Sequence, residues 1–394
     1  MPNVDLAFNR RFTVIALGAL ATIGLLEGAR GVLLPHFRTD LALSATWAGA
    51  IFSSSGLGFL LNSLAFGFLS HKLGLKRMVT IGLGLIALGM TLFVTVRAPA
   101  LLYVTNICLG AGFSMIELST SIHISLIYQE KQSGMLNLLH GFFGVGALSG
   151  SLWAAFWLGL GTGWRLPYGL VGVLVALWGL YYLTMPRTVL PREEGGGQAG
   201  VGPLLKDPVV WAAALALGAA VAGEAGSTLW MPTYLQKVKG LSDGVSAGFM
   251  TAFFAGFTAT RILGAWLVGR LGPVRSVVML AGVGLASLLA LLLLPGAPVI
   301  LPVLAGAGVA TGFATCTALV AARYPDRVNQ VYTVMYSSGG LAGILTGPFM
   351  GWIGDRFGMG ASMWVPLAAY GMLMLLMVYV GIASGAGRRR AMSA

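Results

Sequence analysis

Apolar stretches of roughly 20 residues recur from one end of the chain to the other, separated by short polar, glycine- or proline-containing breaks. Wound as a helix at ~1.5 Å per residue, each is long enough to cross the ~30 Å hydrocarbon core of a bilayer. Twelve spans are predicted, at 12–34, 45–69, 78–96, 101–127, 135–158, 165–185, 209–233, 244–268, 277–295, 299–322, 330–353 and 361–383. The longest polar interruption, Pro186 to Pro208, is rich in proline, glycine and charge, as a linker is. The expected organisation is an N-terminal six-helix bundle (1–185), a cytoplasmic linker (186–208) and a C-terminal six-helix bundle (209–394).

The two halves repeat one another. Glu27, Pro35 and Phe37 recur as Glu224, Pro232 and Tyr234 at a constant offset of 197. LGLKR (Leu73 to Arg77) recurs as LGPVR (Leu271 to Arg275) at 198, and Gly112-Phe113 as Gly312-Phe313 at 200. Both six-helix units start on the same side, so they are parallel repeats about an axis along the membrane normal. Glycines at small-x-x-x-small spacing, such as Gly339, Gly343, Gly347 and Gly351, read first as helix-packing positions. Pro348 is expected to bend its helix.

Composition agrees with the pattern: 57% of residues are hydrophobic, only 9% are charged, and mean hydropathy is +0.85. A soluble domain carries about 25% charged residues. The net charge of +12 is a matter of topology. Sixteen of the 24 Lys and Arg fall in loops on the N-terminal side, six on the other, with Arg30 and Arg261 inside helices. Positive residues stay inside, which places both termini in the cytoplasm and gives no reason to invoke nucleic acid. The first apolar run lacks a small-x-small cleavage site, so it is read as an uncleaved span of the inner (cytoplasmic) membrane. Cys108 and Cys316 fall inside spans and imply no disulfide framework.

Against that apolar ground, three of the twelve acidic residues lie within helices: Glu27, Glu117 and Glu224. An acid at the bilayer centre costs ~2.5–3.5 kcal/mol or more, so its presence points to function. Glu117 has no basic residue within a helical turn and is the leading candidate for cation coupling. Glu27 and Arg30, three apart on one helix face, form either a static pair or a switch that trades partners. Asn137 and His140 share a face of the fifth helix and can donate and accept hydrogen bonds, as a polyol requires. Trp230 and Tyr234 follow Glu224; Tyr234 reads as part of an interfacial aromatic belt, Trp230 as a substrate plate. His123, Asn62 and Asn106 read as interhelical hydrogen-bonding groups, and Arg261 as a snorkelling or capping residue. No phosphate-binding glycine loop, metal-ligand spacing or nucleophile triad is present, so neither an enzyme nor a cofactor is expected.

GFLSHKLGLKR (Gly67 to Arg77) resembles the signature between helices two and three of the major facilitator superfamily, with His71 at the acidic position and Leu75 at a basic one. Gly67, Lys72, Gly74 and Arg77 are the gating-loop residues this resemblance implies, and Gly264 to Arg275 is its weaker echo. LNLLHGFFGVGALSG (Leu136 to Gly150), Glu117 after its glycines, and GEAGSTLWMPTYL (Gly223 to Leu235) are similar to helices five, four and seven of the fucose-glucose-galactose symporter family. VLLPHF (Val32 to Phe37) is similar to the end of that family's first helix, whose aspartate falls here at Gly31, beside Arg30. The resemblance implies an all-α protein of twelve transmembrane helices in two bundles around a central cavity, working by alternating access.

The expected function is therefore symport of a small polar solute, a sugar first, coupled to a cation, with a proton favoured over sodium. The coupling candidates are Glu117, Glu27, Arg30 and Glu224. The substrate candidates are Asn137, His140, Trp230, Arg30 and Glu224. Two alternatives share the fold: a proton-antiporting drug or metabolite exporter, and an organic-anion carrier using Arg30. A monomer in the lipid bilayer is expected.

Overall fold

A computed structural model describes residues 6–128, 132–185, 201–296 and 298–392, and the described chain is built from helices. The first half holds α1 (Leu6–Asp40), α2 (Ala45–Leu73), α3 (Leu75–Thr95), α4 (Pro99–Ile127), α5 (Gln132–Gly159) and α6 (Arg165–Leu183). The second holds α7 (Pro208–Lys237), α8 (Asp243–Leu271), α9 (Pro273–Leu293), α10 (Ile300–Ala310 and Gly312–Arg323, broken at Thr311), α11 (Val328–Phe357) and α12 (Trp364–Met392). Each predicted span coincides with one of these helices, with ends that differ by up to nine residues at the C-terminus of α12. Most of the linker, 186–200, lies outside the described residues.

Ten of the helices are long and apolar enough to span a membrane on composition alone. The other two, α8 and α11, have 29 and 30 residues, ample length. Their apolarity is diluted by Arg261 in α8 and by Gln330 and Asp355 in α11. Both helices pack against the other half, α8 on α5 and α11 on α2, which gives part of each a surrounding other than lipid.

The packing repeats as the sequence does. α1 packs on α5, α2 on α4, and α3 on α4 and α6; six helices later, α7 packs on α11, α8 on α10, and α9 on α10 and α12. Between the halves, α2 meets α11 and α5 meets α8, two contacts that exchange under the same symmetry. Large apolar side chains on α3, α6, α9 and α12, among them Leu88, Leu177, Met279 and Leu375, are left exposed, as a lipid-facing wall requires.

Local devices repeat too. Ser44 and Ser242 each cap the following helix, accepting from the amides of Trp47 and Val245. The α2–α3 and α8–α9 connections turn on Gly74 and Gly272, with φ of +76° and +80°, a region that disfavours any Cβ. This explains the recurrence of LG in both loops. Within the α2–α3 signature, the Lys72 Nζ sits 4.3 Å from the Phe68 ring centre, and Lys76 donates to the Met185 carbonyl. Gly67 lies in α2 and Arg77 in the first turn of α3.

Glycine lets backbones touch. A Cβ built on Gly28 would lie 1.9 Å from the Ala147 carbonyl oxygen, and one on Gly146 equally close to that of Ala21. The α1–α5 contact is therefore a small-residue seam.

Candidate functional site

A cavity of about 1160 Å³ separates the halves. It runs from mid-depth toward the end where α8 terminates and α11 begins, between side chains such as Val268, Ala322 and Tyr332. The opposite end is sealed. There the Asp355 carboxylate at the end of α11 accepts from the amides of Ala45 and Thr46, both at 2.8 Å, and from the Thr46 hydroxyl at 2.7 Å. Arg38 stands 3.9 Å from the same carboxylate, and His36 Nε2 lies 2.8 Å from Asp243 Oδ2. Backbones nearly touch behind them: a Cβ on Gly49 would lie 2.3 Å from the Gly347 carbonyl oxygen, and one on Gly351 equally close to that of Ala45.

The charged residues on the cavity wall are Glu27, Arg30, Glu117, Glu224 and Arg261. Glu27 and Arg30 form the i,i+3 pair expected from their spacing, at 2.8 Å, and Arg30 also donates to the Ser55 hydroxyl at 3.2 Å. Arg30, the cation assigned to an organic anion in the sequence reading, is thus already committed to α1 and α2. Glu224, the repeat of Glu27, lines the same cavity from α7. Neither Glu117 nor Glu224 forms an ion pair or side-chain hydrogen bond among the described residues.

His140 lies on the wall of the cavity. Asn137 is in α5, three residues earlier, and its side chain lies outside what the structure describes, as does that of His71. Trp230 is placed elsewhere. It is fully buried at the sealed end, its Nε1 donating to the Gly347 carbonyl of α11 at 3.2 Å within the second half, with the Arg38 guanidinium of the first half 6.0 Å from its ring centre, and it does not reach the cavity. Tyr234 is buried as well, its hydroxyl reaching the Leu292 carbonyl at 3.4 Å, and is not part of an exposed aromatic belt.

His123 is buried against Phe12, with ring centres 4.3 Å apart, and does not line the cavity. Asn62 and Asn106 bridge α2 and α4, through Ser114 and the Phe52 carbonyl, which accounts for their presence in apolar helices.

Arg261 is the residue the sequence reading underweighted. It does reach a neighbouring helix, its Nε donating to the Ala310 carbonyl at 3.2 Å, but it also lines the cavity. Its charge is felt by Glu117, His140, Glu224 and Tyr336, which come from α4, α5, α7 and α11. A signal was available in the helix end: with α8 closing at Leu271, Arg261 sits about 15 Å inside along the axis.

Known proteins share this plan. The chain is 22% identical over 377 residues to the L-fucose-proton symporter of Escherichia coli (strain K12), covering 83% of each chain. It is 27% identical over 344 residues to a probable nitrate/nitrite transporter, NarK2, of Mycobacterium tuberculosis, covering 82% of this chain and 83% of that one. Among solved structures, the nucleoside transporter NupG superposes with a TM-score of 0.73 at 14% identity, over 95% of this chain and 98% of that one. FucP in its outward conformation superposes with a TM-score of 0.66 at 20% identity, over 95% and 99%. The repeated halves, the shared cavity and a family model matching residues 15–301 and 250–391 lead to one conclusion: the chain belongs to the Major Facilitator Superfamily, and is a transporter rather than an enzyme.

Proposed function

We propose that the protein moves a small, hydroxyl-bearing polar solute, a sugar first, together with a proton, by alternating access across the cytoplasmic membrane. With both termini cytoplasmic, the open end faces the cytoplasm and the sealed end the outside. The observation that carries this reading is the Glu117 carboxylate, on a cavity wall shared by both halves and, among the described residues, without an ion pair or side-chain hydrogen bond. A carboxylate left ionised in such surroundings is costly, and taking up a proton removes the cost. Proton occupancy therefore has different free energy in a state where water reaches Glu117 and in one where it does not, which is what coupling requires. Glu224 is placed to share the proton, while the Glu27–Arg30 pair holds a fixed internal charge balance on the opposite wall. Ser53, Thr228 and Tyr336 supply hydroxyls around a solute, with His140 on α5.

The test is Glu117→Gln in proteoliposomes under an imposed proton gradient. Uphill sugar uptake should be lost while solute exchange without a gradient persists. Unchanged uphill uptake would remove Glu117 from the coupling role.

A further inference from the structure

Arg261 differs from the other cavity cation in how it is held. Its guanidinium carbon lies 4.1 Å from the ring centre of Phe257, one turn earlier on α8, and its Nε is spent on the Ala310 carbonyl. Those two contacts fix the plane of the group. Its Nη1 and Nη2 make no hydrogen bond or ion pair among the described residues, whereas Arg30 meets both Glu27 and Ser55. One residue past that carbonyl, α10 breaks at Thr311, a residue of the cavity wall whose hydroxyl is shielded and has no hydrogen-bond partner among the described residues. A planar fork with both outer nitrogens unspent, next to an unsatisfied hydroxyl, matches a carboxylate that carries a hydroxyl on the adjacent carbon.

We infer that Arg261 and Thr311 form an anion-accepting subsite, so that the solute is a hydroxylated monocarboxylate of the sugar-acid class rather than a neutral sugar. This rests on the reading of the cavity as a solute site. It also gives the proton a second task. The titratable groups that share the cavity wall with Arg261 include Glu117, His140, Glu224 and Tyr336. An ionised Glu117 or Glu224 competes with the incoming carboxylate for the same guanidinium, and a protonated one does not. Solute anion and proton therefore enter together.

The experiment measures binding to the purified full-length protein by thermal stabilisation, with matched probes: D-gluconate against D-glucose, and D-galactonate against D-galactose. Wild type should be stabilised by the acids at concentrations at least about tenfold lower than by the neutral sugars. Arg261→Gln should weaken acid binding at least about tenfold and leave the response to the neutral sugars within about twofold. Arg261→Lys, which keeps the charge but not the fork, should fall between the two, and each variant's own melting curve shows whether it is folded. Neutral sugars binding more tightly than acids, or acids binding wild type and Arg261→Gln alike, would overturn the subsite while leaving sugar symport standing. No response to any of the four probes would overturn the subsite too, and the Glu117→Gln uptake assay then decides the parent reading separately.

Discussion

The two ends of the molecule are built from similar residues but joined differently. At the sealed end, polar groups bridge the halves: Asp355 to the start of α2, Arg38 to Asp355, and His36 to Asp243. At the open end, two contacts between described residues each lie within one half. Lys76 ties α3 to the carbonyl of Met185, and Asp207 binds Arg323 at 2.6 Å and Tyr324 at 2.8 Å inside the second half. The difference separates what must break for the molecule to change state from what merely holds each half together. Alternating access needs the first set to be reversible and the second to be permanent.

The strongest way to break this comparison is to wedge the sealed end. Gly49→Trp places a side chain where even a Cβ would meet the Gly347 carbonyl at 2.3 Å. It should reduce transport roughly 100-fold by holding that end apart. Spin labels at Thr39 and Val238, both exposed beside the seal, should report a longer distance. Asp355→Asn comes next. It removes the charge that accepts two amides and leaves an amide nitrogen facing a donor, at a cost of about 2 kcal/mol, or roughly a thirtyfold shift toward the open seal on the same labels. His36→Ala should do less. Its pair with Asp243 is substantially exposed, and such pairs contribute ~0.2–1 kcal/mol, so a shift of about threefold is expected.

The smallest effect sharpens the contrast from the other end. Burial raises the Asp207 carboxyl, but hydrogen bonds from Arg323, Tyr324 and the Val209 amide outweigh it and hold its pKa below the ordinary 3.8. Because the folded pKa is the lower one, its contribution is present above pH 3.8 and fades as pH falls through the folded value. Asp207→Asn should lower the melting temperature by about 1–2 °C at pH 7, with the gap closing at strongly acid pH. The spin-label distance at the seal should stay unchanged. A shift there would mean that this cluster is not confined to one half.

Much of this was legible in the sequence because it depends on local spacing or on repetition. Twelve apolar runs became twelve helices, the offset of 197 placed Glu27 and Glu224 in equivalent positions, and three-residue spacing brought Glu27 to Arg30. The α8 and α11 spans were recognisable even though polar residues depress their apolarity. What could not be read was non-local. Nothing in α8 says which helix Arg261 faces, and its place in the last third of that helix favoured an escape to the surface over the cavity wall. Trp230 failed for a related reason. Its motif fixes a position along α7, but whether that position opens on the cavity or on α11 depends on how α7 is rotated against its neighbours in the same half.

The Asp355 contact has a further implication for how sequences of this kind can drift. Its two principal donors on α2 are main-chain amides, which every residue but proline possesses. Replacing Thr46 therefore removes one donor, its hydroxyl, but leaves both main-chain donors of the clasp in place, whereas loss of the carboxylate removes every bond at once. Such a one-sided fastening can be lost at a single codon on α11, while on α2 most of its grip does not depend on which side chain is present.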